Sequence, residues 1–119
     1  MSTNRRHVLG AYGEQMAAQY LQNQGYEIIE RNFRCRDGEL DLIAKDHGDW
    51  VVVEVKTRYS KKADAGLEAI DDIKLQKLRR AIRQWSAVRQ IESLRIRLDA
   101  ISVFVSPTSV KFEHLKQVL

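Results

Sequence analysis

Glu39-Leu40-Asp41-Leu42-Ile43-Ala44 and Trp50-Val51-Val52-Val53-Glu54-Val55-Lys56 flank the turn-like Asp46-His47-Gly48-Asp49. Both runs are rich in strand formers, and together they read as a β-hairpin. With those four residues as the loop, Lys45 pairs with Trp50, and counting back sets Asp41 opposite Glu54. Opposed residues share a sheet face, as do side chains two apart on one strand. The spacing therefore predicts Asp41, Glu54 and Lys56 on a common face, and a slip of one residue would carry Asp41 to the other. The run Trp50-Val51-Val52-Val53 reads as buried on both faces, an unusual setting for a glutamate and a lysine.

Outward from this hairpin, Leu9, Tyr12, Gly13, Met16, Ala17 and Tyr20 recur at helical spacing over about residues 8–24, and Gly25 is placed to end that helix. Tyr26-Glu27-Ile28-Ile29-Glu30-Arg31 reads as a strand, followed by a polar segment from Asn32 with a turn at Asp37-Gly38. Beyond a polar loop at 60–66, a second helix carries Leu75, Leu78, Ile82 and Trp85 as its apolar stripe and runs to Gln90. The alternating 94–99 segment continues as a strand to Val105, and a short strand follows at 110–113. The order α-β-β-β-α-β-β implies an α/β fold, one mixed central β-sheet flanked by helices, built as a single domain over residues 1–119.

The 119 residues suit one domain, and 44% hydrophobic content is ordinary for a globular chain. A lone Cys35 excludes an internal disulfide framework, and with three scattered histidines it leaves no zinc cluster. No apolar run is long enough to span a membrane, and the N-terminus lacks the apolar segment of a secretory signal, so a soluble cytoplasmic protein is expected. The net charge of +4 is unevenly spread: residues 1–59 carry 8 Lys/Arg against 9 Asp/Glu, and residues 60–119 carry 12 against 7. An acidic part beside a basic part suits a protein that holds a metal with one face and phosphates with another, although a charge run is also what any solvated helix face presents.

Two carboxylates and one lysine on a common face can build a magnesium site. Magnesium takes oxygen ligands, typically one or two protein carboxylates with water and phosphate completing the shell. Such a site polarises a phosphodiester and lowers the pKa of a bound water. Two roles are open to the lysine, electrostatic stabiliser or general base. Alone, Glu54-Val55-Lys56 is a common surface ion pair along a strand; Asp41 in the inferred register is what lifts it above that.

Gly38-Glu39-Leu40-Asp41 followed by Glu54-Val55-Lys56 resembles the core motif of the PD-(D/E)xK nuclease superfamily. Together with Gly13-Glu14, Ala17, Tyr20-Leu21, Gly25-Tyr26, Arg31-Asn32, Arg58, Ala69-Ile70 and Lys74, the pattern is closer still to the uncharacterised bacterial YraN-like family, itself similar to archaeal Holliday junction resolvases. The resemblance covers nearly the whole chain. It implies a restriction-endonuclease-like fold and a Mg²⁺- or Mn²⁺-dependent endonuclease acting on DNA, including branched DNA. Asp41 and Glu54 would be metal ligands together with the Val55 carbonyl, Lys56 the catalytic lysine, and Glu14 a further acidic group reaching the site from the first helix. Resolvases of this kind work as two-fold dimers, so a homodimer is a further expectation. Leu40 stands where the superfamily's name has proline. The alternative is a non-catalytic nucleic-acid-binding or adaptor protein on the same fold.

Several neighbours keep two readings. Glu39 is a partner behind Asp41 or an exposed strand glutamate. Arg58, Lys61 and Lys62 contact phosphates or form a solvated basic loop. Lys74, on the apolar side of its helix start, aims at the site or reaches to solvent. Gly10 and Gly13 each cost a helix roughly 1 kcal/mol against alanine, which close packing on the sheet, or room for substrate, would explain.

Overall fold

A computed structural model describes residues 5–59, 71–92 and 95–118. Its elements are α1 (Arg5–Asn23), β1 (Glu27–Cys35), β2 (Gly38–Asp46), β3 (Asp49–Arg58), α2 (Asp72–Arg89), β4 (Arg97–Val105) and β5 (Val110–Leu115). This is the order expected from the sequence. The five strands form one sheet in chain order, antiparallel at β1–β2, β2–β3 and β4–β5 and parallel at β3–β4. A parallel neighbour requires a crossover, and α2 is its helix. No helix among the described residues is long and apolar enough to cross a membrane.

Each helix covers one sheet face. Ala17, Ala18 and Leu21 of α1 pack with Leu42, Ala44, Val51, Val53, Ile101 and Val103. On the other face Leu78, Ala81, Ile82 and Trp85 of α2 pack with Leu40, Ile43, Val52 and Leu98. Val51, Val52 and Val53 are fully buried because consecutive residues of a central strand supply both layers. Trp85 is fully buried too; its indole N–H donates to Glu30 Oε1 at 2.9 Å, and Trp50 meets its ring edge-on at 5.2 Å. Phe112 stacks on Tyr20 at 4.7 Å, so Trp50 and Phe112 belong to the packing.

Lys45 pairs with Trp50 as expected, and the hairpin tightens by one further pair, Asp46↔Asp49. His47 and Gly48 then turn the chain with φ of 52° and 91°, the two positive values that a two-residue turn of matching twist demands. β1 corrects the sequence reading. The segment from Asn32 continues as strand to Cys35 and turns tightly back to Gly38, because pairing with β2 supplies what its polar residues lack in propensity.

A second polar assembly lies on the α1 face. Asp99 is fully buried and accepts from Arg97 Nε at 2.9 Å and from the Gln117 N–H at 3.0 Å, while His114 Nε2 lies 2.8 Å from its other oxygen. Arg97 also donates to Tyr26 Oη at 2.9 Å and Asp46 at 3.2 Å. These bonds tie β2, β4, β5 and the C-terminal tail together. Arg95 takes no part in this assembly and sits beside Glu92.

Of the two helical glycines, only Gly13 is there for close approach. A Cβ at Gly13 would stand 1.8 Å from Thr57 Oγ1 and 2.8 Å from Thr57 Cβ, whereas one at Gly10 would meet nothing within 4 Å. Gly13→Ala should destabilise by about 1–3 kcal/mol in denaturant unfolding, with part of the loss recovered by Thr57→Ala. Gly10→Ala should stabilise by about 0.5–1 kcal/mol, since only the helix-propensity term remains there.

Candidate active site

β1 and β2 exchange faces part-way along, and that exchange aims Asp41. Arg31 donates to Gln15 of α1, yet Phe33, two residues on, packs in the α2 layer. Their partners behave alike: Leu42 faces α1 and Leu40 faces α2. A regular pleat would hold residues two apart on one face. Between them Asn32 takes φ of 54°, a left-handed conformation that asparagine tolerates better than most residues. The register of β2 with β3 ends at Leu42↔Val53, one pair short of the expected Asp41–Glu54 pair. There Asp41 Oδ2 accepts the Val55 backbone N–H at 2.8 Å, in a place that a β2 carbonyl would fill in a continued ladder. Asp41 thus reaches toward β3 rather than standing off a face with Glu54 and Lys56. That corrects the simple common-face expectation while leaving the two carboxyl groups neighbours.

Glu54 is buried among the sheet and α2, and it has two unlike oxygens. Oε1 lies 3.3 Å from Lys74 Nζ; Oε2 is buried and meets no N–H or hydroxyl donor, and the Asp41 carboxyl lies within hydrogen-bonding reach of Glu54. The first turn of α2 delivers Lys74. Asp71 caps the helix by accepting the Lys74 backbone N–H at 2.8 Å, which fixes the turn without using the ammonium. Of the two readings of Lys74, the structure takes the one aimed at the site, with a carboxylate rather than open solvent as its partner.

Burial and crowding hold these acids toward their protonated forms. Burial pushes Glu54 up to about 8, helped by the Asp41 charge and opposed by Lys74. Asp41 is raised by burial and by Glu39, against the Val55 N–H, which favours its ionised form. Glu14 on α1 is half-buried and raised to about 7 by burial, then by Asp41 and Glu39, while Asn32 and Arg31 oppose the shift. One helix thus brings a third carboxyl into the same field. Glu39 itself pairs with Arg34 across the β1–β2 ladder at 3.1 Å.

Lys56 is half-buried on β3 beside Ser102 of β4, on Glu54's side of the strand by alternation. Val55 turns its side chain into the α1 layer. Arg58 closes β3 opposite Phe104. Lys61 and Lys62 lie outside the described residues. Among the described residues no group of three or more His, Cys, Asp and Glu side chains is disposed to hold a metal ion by itself. Asp41 and Glu54 are the pair that could take a cation with help from water and a ligand. Sequence reasoning missed Asn32 as the residue that redirects Asp41; its only signal was an asparagine's tolerance of positive φ.

The upward shifts have a definite sign. Between the ordinary carboxyl value and about 8, the folded chain holds protons at Glu54, and up to about 7 at Glu14, that the unfolded chain releases. This contribution to stability is full only below the ordinary carboxyl value and is lost as pH rises from there through about 7 and about 8. Asp46 and Asp99, both lowered, act oppositely and only below the ordinary range. The melting temperature should fall from about pH 5 to about pH 9, and Glu54→Gln should flatten that fall and melt above wild type at the alkaline end.

Comparison with known proteins agrees across the chain. The family model described as uncharacterised protein family UPF0102 matches residues 13–103. UPF0102 proteins of Beutenbergia cavernae and Paenarthrobacter aurescens are 40% and 42% identical, the matches covering 95% of this chain and 97% and 94% of theirs. One from Caldanaerobacter subterraneus is 37% identical over 100% of this chain and 98% of its own. The solved structure of SSO0001 overlaps 98% of this chain and 54% of that longer one, at 16% identity and a TM-score of 0.40. The chain belongs to the uncharacterised protein family UPF0102.

Proposed function

We propose that this protein is a divalent-metal-dependent endonuclease that hydrolyses phosphodiester bonds in DNA, branched DNA included, on a restriction-endonuclease-like framework. The observation that carries the reading is the Asp41–Glu54 pair: two buried carboxyl groups close enough to share a hydrogen bond, with Glu54 Oε2 reached by no N–H or hydroxyl donor. With both groups ionised that oxygen would be left dry and unpaired, which is costly. A hard cation would satisfy it, and two carboxylates are what Mg²⁺ asks of a protein.

Asp41 and Glu54 would hold the Mg²⁺ or Mn²⁺, with the Val55 carbonyl as a third oxygen. The metal, when bound, would polarise the phosphodiester and acidify a water. Asp41 is held for this by the Val55 N–H, so it spends little entropy on orientation. Lys56, on Glu54's side of β3, would steady the negative charge that grows on the phosphate. Glu14, with its proton held to about 7, is suited to pass a proton near neutrality. Exposed Arg79, Arg80 and Arg83 on α2 offer the backbone of a nucleic acid a basic approach.

One observation favours a second reading. The Lys74–Glu54 pair balances a buried charge without any metal, which suits a nucleic-acid-binding adaptor that has kept the fold and not the reaction.

Incubating the protein with linear, flapped and four-way DNA, and with RNA, in Mg²⁺ or Mn²⁺ separates the two. Cleavage that needs the metal and falls by roughly 10²-fold or more in both Glu54→Ala and Lys56→Ala supports the enzyme. Binding that survives both changes, with no cleavage in either metal, supports the adaptor.

A further inference from the structure

We infer that Lys74 is the site's internal counter-cation, a competitor that a divalent metal must displace from Glu54 and that then becomes free for a phosphate of the bound nucleic acid. The inference rests on the metal-dependent reading above and concerns how that site is loaded.

Three features carry it. First, Lys74 Nζ lies 3.3 Å from Glu54 Oε1, on the carboxylate whose other oxygen is buried and meets no donor. An ammonium is one positive charge with rotatable donors, so it can neutralise a carboxylate without enclosing it. Second, the two partners differ in freedom. The Glu54 side chain is 10% exposed and sits on a central strand, while Lys74 is 35% exposed at a helix start. The lysine can withdraw toward solvent while Glu54 stays. Third, its backbone is held separately, since Asp71 caps α2 through the Lys74 N–H. The ammonium can leave without unravelling the turn that carries it.

Competition follows from charge. A dication that takes Oε2 of Glu54 stands on the same carboxylate as the ammonium on Oε1, and the repulsion between the two charges drives Lys74 off. The displaced ammonium would stand at the mouth of the site, where the nearest new anion is the substrate's phosphate. Linkage is reciprocal: whatever the pair costs the metal in affinity, the bound metal returns as freedom for Lys74.

The test titrates Mn²⁺ into wild type, Lys74→Ala, Lys74→Gln, Lys74→Arg and Glu54→Gln, read by calorimetry and by the paramagnetic signal of free Mn²⁺. Alkaline buffer keeps a proton from replacing the lysine on Glu54. Losing a half-exposed pair should tighten Mn²⁺ binding roughly fivefold in Lys74→Ala and Lys74→Gln, with Lys74→Arg close to wild type. Melting curves without metal check that each variant is folded, as a cap made through the backbone N–H predicts. Unchanged or weaker Mn²⁺ binding in both Lys74→Ala and Lys74→Gln overturns the inference, and if Glu54→Gln still abolishes binding the metal site stands without it. Absence of any Glu54-dependent Mn²⁺ binding in wild type and in every Lys74 variant overturns the metal site and the inference together.

Discussion

One hydrogen bond, from the Val55 N–H to the Asp41 carboxylate, decides how this sheet is put together at its centre. It ends the regular pairing of β2 with β3 without leaving the amide unsatisfied, because a side-chain oxygen substitutes for a main-chain carbonyl. It also pins a buried acid between two strands instead of over a face. A buried carboxylate usually needs a cation; this one is partly sustained by a backbone dipole.

The rest of the site is arranged by elements that are themselves rigid for other reasons. Gly13 lets α1 lie against Thr57, and Glu14 follows it into the neighbourhood of Asp41. Asp71 starts α2, and the same turn carries Lys74 to Glu54. Trp85 and Arg89, both bonded to Glu30 of β1, hold the far part of that helix on the sheet. Stability and the clustering of acids pull against each other in the middle. Asp41, Glu14 and Glu54 are three acids in one low-dielectric neighbourhood, an arrangement that a folding protein tolerates only where something else gains by it.

Much of this was legible in the residues. Alternation and the Asp46–Asp49 turn gave the hairpin register, because valine-rich strands with a glycine turn admit few other pairings. The apolar stripe of α2 gave its buried side, and the order α-β-β-β-α-β-β gave one mixed sheet, with the parallel β3–β4 pairing seen only in the structure. What was hidden depended on contacts distant in sequence. In residues 32–35 the polar Asn32 and Arg34 mask the alternation of Phe33 and Cys35, which β2 completes as a strand. Arg97, two residues from Asp99, is a local partner, but nothing local says that Asp99 also gathers His114 and the Gln117 N–H, 15 and 18 positions away. The face exchange at Asn32 and Asp41 escaped for a third reason. Period-two reasoning assumes a regular pleat, and the residues that make a site are where the pleat is given up.

The irregularities of β1 have a consequence of another kind. β1 is an outer strand of the sheet, with its free side unpaired by any strand among the described residues. A straight outer strand is a template onto which another extended chain can add, the opening step of aggregation. β1 is not straight: its register shifts between Ile28 and Glu30, and Asn32 turns left-handed two residues later. Exposed Arg31 and Arg34 add charge to the same stretch. The distortion that redirects Asp41 therefore also denies neighbouring molecules a regular row of amides and carbonyls, so a variant that straightened β1 would expose a regular edge along with moving Asp41.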